Sequence, residues 1–283
     1  MSILLSTVLG LSALADSAAI EPPTGIWAVQ INVVDLDAAL AFYTGTLEFQ
    51  VLTREAYPRV VPLVNDGAHI LLFACDSLTQ WDYDRQCRIN LNLYVEDLDD
   101  WTGKLRAAGA RVLDDTALTA GVGKYIRFLD PSGNHLDLME LGYEHEPVTR
   151  PTVYNVGAQV SAISAARAFY EGLLGFEVLT EKYYPPVIPY KVNGLQLILH
   201  ESGETPAQAA YPQGSQTLLT LVVSNLDEAL TRLRAAGFAT LRAKDANSPV
   251  GRYNAVRDPD GNVIELLEWK DNLFDKARRE SEY

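Results

Sequence analysis

The sequence predicts an α+β protein made of four consecutive units, each a strand, a helix and three further strands. The first observation is an internal repeat, in which residues 33–63 align without a gap with residues 160–190. The second is a shorter repeat of the form Asp-Pro-x-Gly-Asn at residues 130–134 and 258–262. Repeats of this kind indicate a structural unit that is used more than once, so both halves of the chain should share a fold.

In the first unit, the hydrophobic pattern changes from the alternation of a strand to the spacing of a helix. It predicts a strand at residues 27–34 and a helix that begins after Asp35, a residue type that favours the N-cap position. Three short strands follow at residues 49–52, 60–64 and 69–73, and Asn65-Asp66-Gly67 is typical of the hairpin turn between the last two.

The same order of elements is predicted in the other three units. In the second unit Asp97 begins a helix, which Gly109 ends. The second unit has predicted strands at residues 89–95, 111–113, 125–129 and 135–140. In the second half, strands are predicted at residues 154–160 and 218–223, with helices at 164–174 and after Asn225.

Two prolines and several charges at residues 144–151 predict a boundary between domains at 24–145 and 151–270. Residues 1–22 are either an amphipathic helix of the mature protein or a leader. The apolar run within residues 1–15 has the length of a signal-peptide core, but no Lys or Arg precedes it. We therefore expect a cytoplasmic protein, with export as the alternative. Residues 271–283 predict a charged tail.

The composition disfavours several classes of partner. The 283-residue chain has a formal net charge of −14, and a field of that sign repels nucleic acid and anionic membrane surfaces. We therefore expect no nucleic-acid or membrane partner. Cys75 and Cys87 are the two cysteines, too few for a disulfide framework or a cysteine-type zinc site.

The motifs together resemble the vicinal oxygen chelate (VOC) superfamily, which includes glyoxalase I, bleomycin-resistance proteins and extradiol dioxygenases. The matching segments are Val-x-Asp-Leu followed by Phe-Tyr within 33–43, Leu-Arg-Ala-Ala-Gly at 105–109 and 233–237, and the Asp-Pro-x-Gly-Asn motif with its following strand at 130–138 and 258–266. The resemblance implies two tandem domains, each a half-open barrel made from a pair of units. It also implies a small-molecule ligand and is compatible with a homodimer.

The resemblance further implies a divalent metal inside the curved sheet, bound by His, Glu or Gln from the first and last strands of a unit. The corresponding positions here are Ala28, Leu71, Asn90, Asp137, Asn155, Ile198, Leu218 and Glu265. None is histidine, and Glu265 alone is a usual ligand. In some family members the units pair crosswise, which would group Ala28, Leu71 and Leu218 with Glu265 and still leave too few donors. We therefore expect no cofactor at these positions.

A metal site with non-standard ligands is an alternative. Strand alternation places His69, His135 and Asp137 on inward faces of the predicted first barrel. Two histidines and a carboxylate form the ligand set of many iron sites, and zinc or manganese would be alternatives. Gln30, Asn90 and Asn92 would face the same cavity and bind a substrate. The simpler interpretation is that His69 and His135 are residues at the ends of turns.

In the predicted second barrel, Asn155 would contact a ligand, and His200 with Glu265 could form a metal-free acid–base pair. The simpler interpretation of Glu265 is a single buried carboxylate.

Two further pairs of residues recur in both halves. Lys124 and Arg252, each beside a tyrosine, could bind an anionic group of a ligand. The alternative is that both are solvated surface charges. Tyr57 and Tyr184 lie in proline-containing loops that suit a lid, or pack at an interface.

Two classes of function therefore stay open. The first is a protein that binds a small oxygenated or apolar molecule in its barrels without a metal. The alternative is a metal-dependent lyase, isomerase or ring-cleaving dioxygenase that uses non-standard ligands.

Overall fold

The computed structural model describes residues 25–78, 89–192, 195–203, 211, 217–248 and 251–269. The first unit contains β1 (Gly25–Val33), α1 (Leu36–Gly45), β2 (Gln50–Val51), β3 (Val60–Asn65) and β4 (Ala68–Ala74). The second contains β5 (Ile89–Val95), α2 (Leu98–Ala107), β6 (Arg111–Val112), β7 (Leu118–Ala120), β8 (Gly123–Leu129) and β9 (His135–Leu141).

The second half repeats this order of elements. The third unit contains β10 (Thr152–Val160), α3 (Ile163–Arg167) with a π-helical continuation (Ala168–Leu173), β11 (Glu177–Val178), β12 (Val187–Lys191) and β13 (Gln196–Glu201). The fourth contains β14 (Thr217–Val223), α4 (Leu226–Ala235), β15 (Ala246–Ser248), β16 (Gly251–Arg257) and β17 (Val263–Trp269). The predicted α+β fold of four similar units is confirmed.

Side chains cap the helix N-termini in two ways. Asp35, Asp97 and Asn225 each accept a hydrogen bond from the backbone N–H three residues later, as their residue types predict. Ala162 takes the same place before α3 and has no such side chain. Instead, Glu201 at the end of β13 accepts a hydrogen bond from the first backbone N–H of α3 at 2.8 Å.

The strands form two large sheets that join units crosswise. Sheet I has the order β15-β16-β17-β14-β1-β4-β3-β2 and combines the first unit with the fourth. Sheet II has the order β11-β12-β13-β10-β5-β9-β8-β6, with β7 beside β8, and combines the second unit with the third. The antiparallel pairs β1–β14 and β10–β5 make the two joins. Neighbouring units in the chain therefore do not share a barrel, and the assumption that they do was wrong.

Consecutive units are held together by the repeated Asp-Pro-x-Gly-Asn turns. Asp130 accepts hydrogen bonds from the backbone N–H groups of Ser132 and Asn134, and from the Tyr43 hydroxyl of α1 at 3.2 Å. In the second half, Asp258 accepts a hydrogen bond from Tyr170 at 2.8 Å. The two motifs that repeat in the sequence thus contact each other, and their role in this fold is structural.

One face of the central strands packs against the helices. Along β1, Val29 and Ile31 belong to the hydrophobic core that includes Leu36 and Leu40 of α1. Because successive side chains point to opposite faces, Ala28 and Gln30 lie on the other, concave face. The concave faces are therefore where a ligand could reach the sheets.

Some predictions fall outside the residues that the structure describes, namely those for residues 1–22, for residues 271–283 and for Cys87. The predicted domain boundary lies in the connection from β9 to β10 and stays a prediction. In the described ranges, no helix has both the length and the apolar character that a membrane span requires.

Candidate ligand-binding site

A pocket with a cavity volume of about 110 Å³ lies against the concave face of sheet I and is open at its mouth. Its floor is formed by side chains of β1, β4, β14 and β17, which include Gln30, Leu71, Phe73, Thr220 and Glu265. Trp27 and Tyr253 supply aromatic walls. A mostly apolar pocket with a few convergent polar groups is typical of a small-molecule site.

Glu265 is the ionisable group at the base of the pocket. Its side chain is 6% exposed, and Oε1 accepts a hydrogen bond from the Tyr211 hydroxyl at 2.7 Å. Burial raises the pKa of Glu265 to about 7, although the Tyr211 hydrogen bond and the positive charge of Arg242 oppose that rise. The other carboxyl oxygen, Oε2, accepts no hydrogen bond from any residue the structure describes. The carboxyl group therefore keeps an unused oxygen and changes charge near neutral pH.

Tyr211 and Arg242 hold the Glu265 carboxyl from behind. Arg242 Nε donates a hydrogen bond to the Tyr211 hydroxyl at 3.3 Å. The guanidinium lies 5.1 Å from the ring centroid of Tyr211 and 5.3 Å from that of Tyr253. With its oxygen accepting from Arg242, the Tyr211 hydroxyl directs its hydrogen towards Glu265. Neither residue was predicted from the sequence, because neither belongs to a repeated motif.

Thr220 lies beside Glu265, and Gln30 on β1 adds a further polar group to the same pocket. Thr220 pairs with Glu265 in the register of β14 and β17, and its hydroxyl is buried with no hydrogen-bond partner among the described residues. Gln30 Nε2 donates to Asn32 Oδ1 at 2.9 Å, which fixes the orientation of the amide. Gln30 Oε1 accepts no hydrogen bond within the described ranges. An unpaired buried hydroxyl is unfavourable, so a ligand that completes the missing hydrogen bonds would be favoured in this pocket.

Replacing Thr220 with valine should raise the free energy of unfolding by roughly 1 kcal/mol, because the change removes an unpaired buried hydroxyl and keeps the shape of the side chain. Urea unfolding of wild-type and variant protein measures the difference. Thr102→Val is the matched control: its hydroxyl donates to Leu98 O at 2.6 Å, so this change should lower stability. A Thr220→Val variant that is less stable than wild type would show that the hydroxyl has a partner.

Sheet II presents a different concave face, where polar side chains bind one another. Asn92 Nδ2 donates to Asn155 Oδ1 at 2.5 Å, and Asn90 Nδ2 donates to Asn92 Oδ1 at 2.6 Å. Asn90 Nδ2 also donates to Asp137 Oδ2 at 2.7 Å. His135 Nε2 lies 2.8 Å from Asp137 Oδ1. We call these five residues the amide ladder, in which the three asparagine side chains and Asp137 Oδ2 hydrogen-bond to one another.

Gly157 makes room for the amide ladder. A Cβ atom at this position would lie 2.4 Å from Asn90 Oδ1. We expect Gly157→Ala to lower the free energy of unfolding by about 1–3 kcal/mol, since Asn90 would have to leave its place. Gly103→Ala is the control, because no atom lies within 4 Å of its added Cβ and alanine favours the helix. Equal unfolding curves for the two variants would contradict the packing described.

The predicted non-standard metal ligands are not brought together. His69 lies on β4 of sheet I, with its ring 5.9 Å from that of Trp27. His135 and Asp137 lie on β9 of sheet II. The prediction was wrong because it assumed that the first and second units share one barrel, whereas the first unit pairs with the fourth.

The predicted acid–base pair fails for the same reason. His200 is on β13 of sheet II, whereas Glu265 is on β17 of sheet I. Burial lowers the pKa of His200, and the charge of Asp137 opposes that change. His200 therefore belongs with the amide ladder. Gln30 and Glu265 are the predicted site residues that line the pocket of sheet I.

Neither of the two predicted cations lines the pocket of sheet I. Lys124 lies 3.3 Å from Glu140, which also accepts a hydrogen bond from the first backbone N–H of α2. Arg252 pairs with Asp227 at 2.8 Å and Glu268 at 2.9 Å, and Glu268 accepts the corresponding bond from α4. Strand alternation explains the direction of Arg252, because its neighbour Tyr253 lines the pocket.

The two predicted lid tyrosines lie on the surface. The hydroxyl of Tyr57 donates to Asp37 at 3.1 Å, and its side chain is exposed. The ring of Tyr184 lies 5.7 Å from the guanidinium carbon of Arg167. Neither residue lines the pocket of sheet I, where Ala56 and Val60 occupy the nearby positions.

Comparison with known proteins agrees with this architecture. The sequence profile of the Glyoxalase/Bleomycin resistance protein/Dioxygenase superfamily matches residues 25–138 and 153–266. The chain therefore belongs to this family and carries its domain in tandem.

Individual relatives are distant. A crystal structure of glyoxalase I from Zea mays has a TM-score of 0.62 at 15% identity, covering 91% of this chain and 94% of that one. A putative dioxygenase from Bacillus subtilis has a TM-score of 0.63 at 14% identity, covering 89% and 87%. A virulence protein from Salmonella typhimurium is 27% identical over 118 residues, which are 39% of this chain and 78% of that protein. The structural likeness at these identities shows the fold.

Many proteins with this fold use a divalent metal, but the side chains here do not fit one. At the corresponding positions, sheet I presents Ala28, Leu71, Leu218 and Glu265, and sheet II presents Asn90, Asp137, Asn155 and Ile198. Each set contains a single carboxylate, and a divalent site normally needs three or four good donors. Among the described residues, no three His, Cys, Asp or Glu side chains are grouped closely enough to hold a metal ion.

Proposed function

We propose that this protein binds a small, largely apolar molecule with polar substituents in the pocket of sheet I, without a metal. The observation that carries this proposal is the base of the pocket, where the Glu265 carboxyl lies beside the unpaired hydroxyl of Thr220. Leaving a buried polar group unpaired costs about 1–3 kcal/mol, which a hydrogen-bonding ligand would recover.

The contrast between the two sheets supports the proposal. In sheet I, Gln30 on β1 lies opposite Leu218 on β14. At the corresponding place in sheet II, Gly157 on β10 lies opposite Asn90 on β5. In sheet II the protein's own amides fill the face, whereas in sheet I apolar residues leave the polar groups uncovered. Sheet I is thus arranged to receive polar contacts from outside the protein.

A fragment screen by ligand-observed NMR tests the proposal. Leu71→Trp would fill the pocket, and Leu179→Trp places the same side chain at a position that is 48% exposed. We expect compounds that bind wild-type protein and Leu179→Trp, but not Leu71→Trp. Circular dichroism verifies folding, and Val60→Trp at the pocket wall is a second blocking variant. Finding no compound with this behaviour in either blocking variant would contradict the proposal.

A second candidate is a metal-free enzyme that moves a proton with Glu265. The observation in its favour is the raised pKa of Glu265, about 7, which suits a general base or acid near neutral pH. Such an enzyme would exchange a carbon-bound hydrogen of its ligand with solvent deuterium. We expect Glu265→Gln to abolish that exchange and to retain binding, and NMR in D₂O measures both. The metal-dependent lyase, isomerase or dioxygenase lacks a donor set among the described residues.

The homodimer and the cytoplasmic location stay predictions.

A further inference from the structure

We infer that the ligand of the sheet I pocket is a small organic cation, with an apolar, preferably aromatic body and a protonated amine. The inference rests on the proposed function, because it names the ligand class of the same pocket.

The charges around the pocket favour a cation. The charged residues that line it, within the described ranges, are Glu265 at the base and Glu55 at the mouth. Arg242 is not one of the lining residues, and its guanidinium lies over the rings of Tyr211 and Tyr253. The net charge of −14 adds a long-range field of the same sign. The positive charge of Arg59 also acts on Tyr253 at the pocket wall, so it is Glu265 at the base that would repel an anionic ligand.

The polar atoms at the base match an ammonium group. Glu265 Oε2, Thr220 Oγ1 and Gln30 Oε1 are oxygen atoms without a hydrogen-bond donor among the described residues. An alkylammonium group offers three donors and no acceptor, so it can bond to Glu265 Oε2 and to its cross-strand neighbour Thr220 Oγ1, while Gln30 Oε1 is a further acceptor that lines the same pocket. A hydroxyl group offers one donor, and a carboxylate none.

The aromatic walls favour the same ligand. Trp27, Phe73 and Tyr253 line the pocket, and the faces of aromatic rings attract cations. An ammonium held against Glu265 would also neutralise a buried carboxylate that, among the described residues, has no positive side chain in direct contact with it. A charge-assisted hydrogen bond of this kind is about twice as strong as a neutral one.

Calorimetric titration with three probes of similar size tests the inference. The probes are 2-phenylethylamine, 2-phenylethanol and phenylacetate, which are cationic, neutral and anionic at about pH 8. We expect the amine to bind wild-type protein at least about tenfold more tightly than the alcohol, and phenylacetate to bind most weakly. In Glu265→Gln the preference for the amine should disappear. The control Glu177→Gln, at an exposed position on β11, should keep it.

The outcomes separate the inference from the proposed function. The alcohol or phenylacetate could bind as tightly as the amine, with that binding abolished by Leu71→Trp. This result would support the binding site in sheet I and contradict the inference of a cationic ligand. A preference for the amine that survives in Glu265→Gln also overturns the inference. If none of the three probes binds, the inference of a cationic ligand is overturned, and the fragment screen with its blocking variants decides the proposed function separately.

Discussion

Replacing Asp258 with alanine should lower the free energy of unfolding by roughly 3–5 kcal/mol, because the change leaves several buried donors without an acceptor. Asp258 Oδ2 accepts hydrogen bonds from Tyr170 and from the Asn262 side chain at 2.8 Å each. Oδ1 accepts from the backbone N–H groups of Asp260 and Asn262. These contacts join the helix of the third unit to the turn of the fourth, so both units should be affected.

Urea unfolding measures this loss. Asp115→Ala provides the control, because Asp115 is exposed and should change stability by less than about 0.5 kcal/mol. A loss below about 1 kcal/mol for Asp258→Ala would contradict the structural role that we assign to the repeated turn.

The free energy of unfolding should also depend strongly on pH. Burial raises the pKa of Glu265 from 4.5 to about 7, so the folded protein binds this proton more tightly than the unfolded chain does. The contribution of Glu265 to stability is therefore highest at or below about pH 4.5 and is lost as the pH rises towards about 7. The full change is roughly 3 kcal/mol.

Comparison with Glu265→Gln isolates this contribution. Glutamine does not titrate, so the unfolding free energy of the variant minus that of wild type should increase between about pH 5 and pH 8. Urea unfolding at four pH values measures the difference, and Glu177→Gln should show none of it. A difference that does not change with pH would show that Glu265 has an ordinary pKa and is not buried as described.

The local elements were predictable because they depend on nearby residues. Asp35, Asp97 and Asn225 cap helices, as their side chains and their positions before apolar repeats indicate. The strands β7 and β15 were missed, because each has three residues and lies beside a longer strand. The third predicted helix, at residues 164–174, is partly π-helical, and hydrophobic spacing does not distinguish the two forms.

The assembly of the units was not predictable from periodicity. The first strands of all four units have similar patterns, so local sequence does not decide whether β1 joins β14 or β5. The structure joins β1 to β14, while the turn at Asp130 holds the second unit against the first through Tyr43. This choice separates His69 from His135 and His200 from Glu265.

The site was predicted in part. Gln30 and Glu265 were found because strand alternation places them inward, and that rule holds within a single strand. Tyr211 and Arg242 lie outside the longer strands. The contact of Tyr211 with Glu265, and that of Arg242 with Tyr211, depend on the path of loops. Only three-dimensional proximity identifies such residues.

The most direct test of the account is the location of bound ligand in the protein, measured by amide chemical shifts during titration with a compound from the fragment screen or with 2-phenylethylamine. If the ligand binds in the pocket of sheet I, we expect the largest shift changes at Gln30, Thr220 and Glu265, together with the indole N–H of Trp27. Shift changes centred on Asn90, Asn92 and Asp137 would place the site on sheet II and contradict it.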